Sequence, residues 1–140
     1  MDLDSLAGYV DAWILHGRAG GGDVDAMDRL LAFMSSDIRY EDVPTSAVFL
    51  GHDGVRAMAA QAHVLAADLT FHPRNLAVGA GCFAFETETH GTQSGTVGSV
   101  KETNRPFVIR GISAGQFVDG LVTEHRDYWD LSSLLAQLGG

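Results

Sequence analysis

The sequence predicts an α+β fold: a cone-shaped α+β barrel in which N-terminal helices pack on one face of a curved, mostly antiparallel sheet. Three observations predict it. Three segments before residue 66 carry apolar residues at helical spacing. The segments after residue 68 are mostly strand-like, with side chains alternating between two faces. Helices first and then a run of strands, without a repeating strand–helix alternation, is the order of an α+β domain rather than of a parallel sheet. At 140 residues the chain is long enough for one real core, so residues 1–140 are expected to form a single domain.

Each element has its own signal. Asp4 stands where it can cap a first helix, whose stripe Leu6, Tyr9, Val10, Trp13 and Ile14 turns Tyr9 toward the core. Four glycines between Gly17 and Gly22 end that helix and make a flexible loop. Asp23 caps a second helix with Met27, Leu30, Leu31 and Met34 as its stripe. A strand from Ile38 to Val43 follows, with Ile38 and Tyr40 inward and Asp42 carried in with them. Gly51-His52-Asp53-Gly54 leads into an alanine-rich third helix from about Val55 to Leu65. Leu69 to Val78 reads as a strand broken at Pro73.

The next two strands form the far half of the sheet. Cys82 to Thr89 places Phe83, Phe85, Thr87 and Thr89 on the inner face; Glu86, Glu88 and His90 form the solvated one. Phe107 to Val118 puts Phe107, Ile109, Gly111, Ser113, Gly115 and Phe117 on one side. Glycines on an inner face fit strong curvature or a space left for a ligand. Between them, Gly91 to Arg105 is a polar connection of hairpin composition. Asp130 caps a last short helix, Leu131 to Leu138.

The segment Leu121-Val-Thr-Glu-His-Arg-Asp-Tyr-Trp-Asp130 carries the strongest chemical signal. As a strand it sets Glu124 and Arg126 toward solvent, and Leu121, Thr123, His125, Asp127 and Trp129 inward. A histidine and an aspartate two residues apart on a buried face must be paired, and such pairs are a common means of shifting pKa values for catalysis. The inward polar groups from these independent strand assignments are Tyr9, Tyr40, Asp42, Thr87, Thr89, Ser113, His125 and Asp127. Trp13, Phe83, Phe85, Phe117 and Trp129 surround them. An apolar pocket with a few convergent polar groups is the usual form of a small-molecule site. Each residue also has a plainer role: Tyr9 as a core tyrosine, Asp42 as the opening of a turn before Pro44, His125 as a core histidine bonded to Asp127, and Asp127 as a partner of Arg126 or Arg39.

Bulk properties exclude several classes. A net charge of −9 without a basic block argues against nucleic-acid binding. No apolar run approaches the length that spans a bilayer, and the acidic start Met1-Asp2-Leu3-Asp4 is wrong for a signal peptide, so neither a membrane nor an export role is expected. A lone cysteine, Cys82, rules out an internal disulfide and suits a reducing cytoplasm; it is expected as a small buried hydrophobe. The six histidines show no metal-ligand spacing, and neither a metal nor another cofactor is expected.

Tyr9-Val-Asp-Ala-Trp13, Gly22-Asp-Val-Asp-Ala-Met27, Tyr40-Glu-Asp-Val-Pro44, Gly51-His-Asp-Gly54, Gly91-Thr-Gln-Ser-Gly95 and Asp119 to Asp130 together give the chain a resemblance. It resembles the nuclear-transport-factor-2-like (cystatin-like) superfamily, in its SnoaL-like polyketide cyclase, ketosteroid isomerase and limonene epoxide hydrolase branches. The isomerase resemblance implies Asp42 as general base, Tyr9 as donor to a substrate oxyanion and Ser113 where a second donor, an aspartate, would stand. The hydrolase resemblance matches Tyr40-Glu41-Asp42 and Asp127, but its central Arg-x-Asp is missing between Cys82 and Gly91. The SnoaL-like resemblance implies Asp127 as general acid/base in an apolar pocket, and a homodimer formed by the convex face of the sheet.

The expected function is therefore a cofactor-independent acid–base enzyme, a cyclase or isomerase. Its substrate is a small apolar carbonyl compound such as a polyketide, steroid-like or terpenoid molecule. Asp42 or Asp127 removes a proton α to a carbonyl, Tyr9 donates to the enolate oxygen with Tyr40 or Ser113, and His125 orients Asp127 or shuttles the proton. The alternatives are a non-catalytic ligand-binding or dimerisation module on the same scaffold, and epoxide hydrolysis or dehydration using His125 and the tyrosines.

Overall fold

The computed structural model describes residues 1–18 and 22–139. Helix α1 (Leu3–Arg18) opens under Asp2, whose carboxylate accepts from the Ser5 N–H at 2.8 Å. The cap thus lies two residues earlier than expected, and Asp4 sits in the first turn, where its charge complements the helix dipole. Leu6, Tyr9, Val10 and Trp13 are buried as the stripe requires. The helix runs past Gly17, and most of the expected glycine loop, residues 19–21, lies outside the described residues. Helix α2 (Val24–Leu31) has Asp23 as its cap, accepting from Ala26 N–H at 3.1 Å, and buries Met27, Leu30 and Leu31.

Strand β1 (Met34–Asp42) begins four residues before the expected strand. A 3-10 turn at Val43–Thr45 then folds the chain back into β2 (Ala47–Leu50), antiparallel to β1. The sequence did not signal β2, because Ala-Val-Phe-Leu has no polar alternation and is too short to separate from a helix start. Helix α3 (Gly51–Leu65) follows without a linker. Strand β3 (Thr70–Val78) is continuous through Pro73. It is an edge strand, where a missing N–H costs nothing on the open side, and a bulge between Arg74 and Ala77 absorbs the irregularity. Strands β4 (Cys82–Thr92), β5 (Pro106–Val118) and β6 (Leu121–Trp129) and helix α4 (Leu131–Gln137), capped by Asp130, complete the chain.

The six strands form one curved, unclosed sheet in the order β2-β1-β6-β5-β4-β3. Every neighbouring pair is antiparallel except β1 with β6. The expected α+β architecture is present. Its main core gathers Leu6, Tyr9, Trp13, Tyr40, Phe83 and Phe85 between α1, α2 and the sheet. A second cluster, with Phe107, Leu134 and Leu138 at its centre and Trp129 and Leu69 against it, lies where α4 covers the end of β5.

The β5–β6 hairpin sets the geometry of the interior. Asp119 and Gly120 form a two-residue connection with φ of 52° and 79°, a left-handed pair that matches the twist of the strands it joins. The register then slips at Thr123, so Gln116 faces Glu124 while Phe117 faces Val122. This bulge corrects the simple alternation: Val122, not Leu121 or Thr123, is the inward residue at the strand's start. Beyond it the alternation holds, and His125 and Asp127 point inward as expected.

Two further expectations change. Cys82 is exposed at the start of β4 rather than buried, because its strand alternation gives the inner face to Phe83. Gly111 and Gly115 leave no ligand space. A Cβ on Gly115 would fall against the Glu124 carbonyl and 2.7 Å from the Phe83 ring, so the glycine permits close backbone approach at the curve. Gly115→Ala is expected to destabilise the fold by about 1–3 kcal/mol, as overpacking does, read as a lower urea midpoint at unchanged slope.

Candidate active site

Sheet register lines the inward side chains into rows. Phe83, Gly115, His125 and Tyr40 stand side by side across β4, β5, β6 and β1; the next row is Phe85, Ser113, Asp127 and Asp42. The parallel β1–β6 pairing thus brings Asp42 beside Asp127, although the two are far apart in sequence. Helix α1 supplies Tyr9 and Trp13 from the opposite wall.

These side chains form one hydrogen-bonded chain. The Tyr9 hydroxyl lies 2.7 Å from His125 Nδ1, and His125 Nε2 lies 2.9 Å from Asp127 Oδ1. A carboxylate only accepts, so Nε2 carries the proton toward Asp127 and, in the neutral imidazole, Tyr9 O–H donates to Nδ1. Ser113 Oγ donates to Asp127 Oδ1 at 2.6 Å, and Tyr40 O–H donates to Oδ2. The His125 ring is clamped between aromatics: it stacks on Tyr40 at 4.8 Å and 9°, and Trp13 is 5.3 Å away. Asp127 therefore has three donors, and each is itself fixed by packing.

Burial separates the roles within this chain. Tyr9, Tyr40, Ser113 and His125 are all buried, whereas the Asp127 side chain keeps 27% of its surface open. Asp127 is the least buried member of the chain. Its alternative partners are engaged elsewhere, Arg39 with Glu41 and Arg126 with Glu124. Asp42 is half-buried beside it, its Oδ1 accepting from Trp129 Nε1 at 2.5 Å and its Oδ2 from Thr45 Oγ1 at 2.5 Å. Asp42 thus both opens a turn and faces the interior. Thr87 and Thr89 are half-buried on the same inner face and bond to neither carboxylate among the described residues. Phe117 packs at the edge of the main core, away from the carboxylates, and Trp129 sits between Asp42 and the second cluster. Among the described residues, no group of three or more His, Cys, Asp or Glu side chains is arranged to hold a metal ion.

A family profile described as SnoaL-like polyketide cyclase matches residues 9–138, which include every residue of this site. The chain belongs to the SnoaL-like polyketide cyclase family. Among solved structures, TsrD from Streptomyces laurentii superposes with a TM-score of 0.83 at 24% identity, over 99% of this chain and 98% of that one. A candidate SnoaL-like polyketide cyclase from Jannaschia sp. CCS1 gives 0.78 at 17% identity, over 96% and 93%. IdmH, a candidate polyketide cyclase from Streptomyces antibioticus, gives 0.73 at 20% identity, over 98% and 97%. These likenesses establish a shared fold. No curated protein sequence matches the chain.

In this SnoaL-like chain the two carboxyls are driven apart electrostatically. Burial would raise the Asp127 pKa, but His125 and the Ser113 and Tyr40 donors outweigh it and hold the group below its ordinary 3.8. For Asp42, burial outweighs the Thr45 and Trp129 donors, and Asp127 adds to it, so its pKa is raised. Burial also raises both phenols, Tyr9 and Tyr40, with the Asp127 charge contributing, so both stay protonated donors at neutral pH. Thr45 is a site residue that the sequence reading missed. Its signal was present, since an aspartate followed three residues later by a threonine at a turn is a side-chain capping pattern.

Because folded Asp127 binds its proton less readily than the unfolded group, it contributes stability above pH about 4 that is lost as pH falls through the folded pKa. Asp127→Asn is expected to flatten the acid side of the stability–pH curve measured by urea unfolding. Tyr40→Phe removes one donor to the anion and raises the Asp127 pKa, read by carboxyl ¹³C NMR.

Proposed function

We propose that this protein is a cofactor-independent acid–base enzyme, a cyclase or isomerase, acting on a small apolar carbonyl compound of polyketide, steroid-like or terpenoid type. One observation carries the reading: a carboxylate oriented by His125, Ser113 and Tyr40 stays partly open at an apolar interior. A base fixed in one orientation serves proton transfer from carbon, where a positioned acid or base contributes about 10²–10⁴-fold.

Asp127 acts as the base and takes the proton α to a carbonyl at Oδ2, the oxygen with a single donor. The electron pair left on carbon moves into the carbonyl, and the enolate oxygen needs a donor. Asp42 is suited to that role, since a carboxyl with a raised pKa keeps its proton longer, and a pair of carboxyls pushed apart divides naturally into acid and base. The enolate carbon then attacks a second carbonyl in ring closure, or regains a proton elsewhere in double-bond migration. Tyr9 is fully buried, with its hydroxyl spent on His125, so in this mechanism it positions the imidazole rather than touching substrate.

Asp127→Asn is expected to lower turnover at least about 10²-fold with the fold intact by circular dichroism. Asp42→Asn is expected to lower it less and to remove the alkaline limb of the pH–rate profile. Full activity of Asp127→Asn would remove Asp127 as the base, whereas binding of enolisable ketones by the wild-type chain with no turnover of any of them would leave the non-catalytic ligand-binding reading instead. A homodimer belongs to the same proposal. Val108, Ile112 and Tyr128 stand exposed on the outward face of β5 and β6, an apolar set that a second copy would cover. Sedimentation is expected to give a dimer that Ile112→Asp weakens.

A further inference from the structure

The outward face of β3, β4 and β5 carries a cluster that the acid–base chemistry does not use. His72 from β3 and His90 from β4 meet there with ring centroids 4.5 Å apart. Sheet register surrounds them with charge: Glu88 stands between His72 and Arg110, and Arg74 stands opposite Glu86. One Glu88 carboxylate serves three neighbours, with His90 Nε2 at 2.8 Å, Arg74 Nη2 at 3.3 Å and Arg110 Nε at 3.6 Å. His72 is bonded to a neutral group instead, the Thr70 hydroxyl, 3.1 Å from its Nε2. Two arginines and two glutamates balance while both rings are neutral. Every proton that a ring gains then adds positive charge with no new anion to meet it.

This cluster flanks the apolar set on the same face. His90 stands directly opposite Val108 in the register, and Glu86 opposite Ile112. On the other side of that set the balance repeats, with Arg39 opposite Glu124 and Glu41 opposite Arg126. These paired outward positions therefore sum to no charge, in a chain whose net charge is −9. Copies of so acidic a chain repel one another over most of their surface, and this face is where they can approach. Strands lie about 4.8 Å apart, so β3 is about 10 Å from β5. An interface of ordinary size, about 800 Å² per partner, is a patch about 30 Å across. A copy seated on Ile112 thus covers both histidines.

We propose that His72 and His90 make the association of two copies through this face pH-dependent, holding the pair together while the rings are neutral and releasing it as they gain protons. The inference deepens the homodimer reading, on which it rests. In a single chain His72 is exposed and the His90 side chain keeps 43% of its surface open, so water solvates a charge on either ring. A covering copy removes that water and brings a second set of the same groups, and a buried charge without its own partner is disfavoured. The separated chains then bind protons more readily than the pair. Association is fully present above the usual histidine range, near pH 6.5, and is lost as pH falls through it.

The test is sedimentation velocity of the full chain over a dilution series at about pH 8 and about pH 5.5, with circular dichroism to follow the fold. The dimer Kd is expected to rise at least about tenfold at the acid pH, as one linked proton over one pH unit requires. The direction is informative, because acid also reduces the overall negative charge and by that route alone would tighten association. The double variant His72→Gln, His90→Gln is expected to associate at both values with a Kd constant to about twofold. A wild-type Kd that is unchanged or lower at acid pH would overturn the inference and leave the homodimer standing. Acid release that persists in the double variant would also overturn it. A monomer at both values would sink the homodimer and this inference together. If the double variant does not associate at the higher pH, the wild-type ring ¹³C titrations decide. Their midpoints for His72 and His90 should be lower in concentrated than in dilute protein, and equal midpoints would overturn the inference.

Discussion

The interior is organised around the requirement that the Asp127 carboxylate, largely withdrawn from water, be fully hydrogen-bonded. A carboxylate moved out of water loses solvation worth several kcal/mol unless donors replace it. Here the donors arrive from three elements: His125 from the same strand, Ser113 from β5 and Tyr40 from β1. Each donor works only if the sheet register is kept. A one-residue slip of β6 would turn His125 and Asp127 to the solvent face together. The two-residue Asp119-Gly120 turn and the Thr123 bulge, which fix that register, therefore matter to the site as much as the residues that form it.

The support extends outward from the carboxylate. His125 could not hold Asp127 if its ring rotated, and Tyr40, Trp13 and Phe83 pack around it on several sides while Tyr9 occupies Nδ1. Tyr9 and Trp13 are one helical turn apart on α1, so the position of that helix on the sheet is coupled to the orientation of the imidazole. On the same stripe, one turn beyond Trp13, His16 is also buried. A buried polar network fully satisfied in this way rigidifies its surroundings, and partial satisfaction would be costly.

Much of this was legible in the sequence. The helical stripe of α1 and the alternation of β1, β4, β5 and the second half of β6 placed Tyr9, Tyr40, Phe83, Phe85, Ser113, His125 and Asp127 on inner faces, because period alone decides which face a side chain takes. The pairing within the network was not legible. Tyr40 and Asp127 are separated by the whole middle of the chain and meet because β1 runs parallel to β6, a contact no local pattern encodes. The role of Tyr9 also depended on distance: a stripe turns a tyrosine inward but does not say whether its hydroxyl ends on a histidine or faces a ligand. Val122 and Cys82 departed from expectation for local reasons, a bulge in one case and strand phase in the other.

The sequence by itself determined the fold class, the inward faces and the family resemblance, since these follow from side-chain period, capping residues and turn chemistry, all of which act over a few residues. Tertiary structure alone decided which carboxyl is held as an anion and which has its pKa raised. It also decided that one histidine is satisfied at both nitrogens while another, among the described residues, has a buried nitrogen without a partner. These properties depend on burial and on donors from distant strands, and electrostatics inside a protein is set by what surrounds a group in space rather than by what precedes it in the chain.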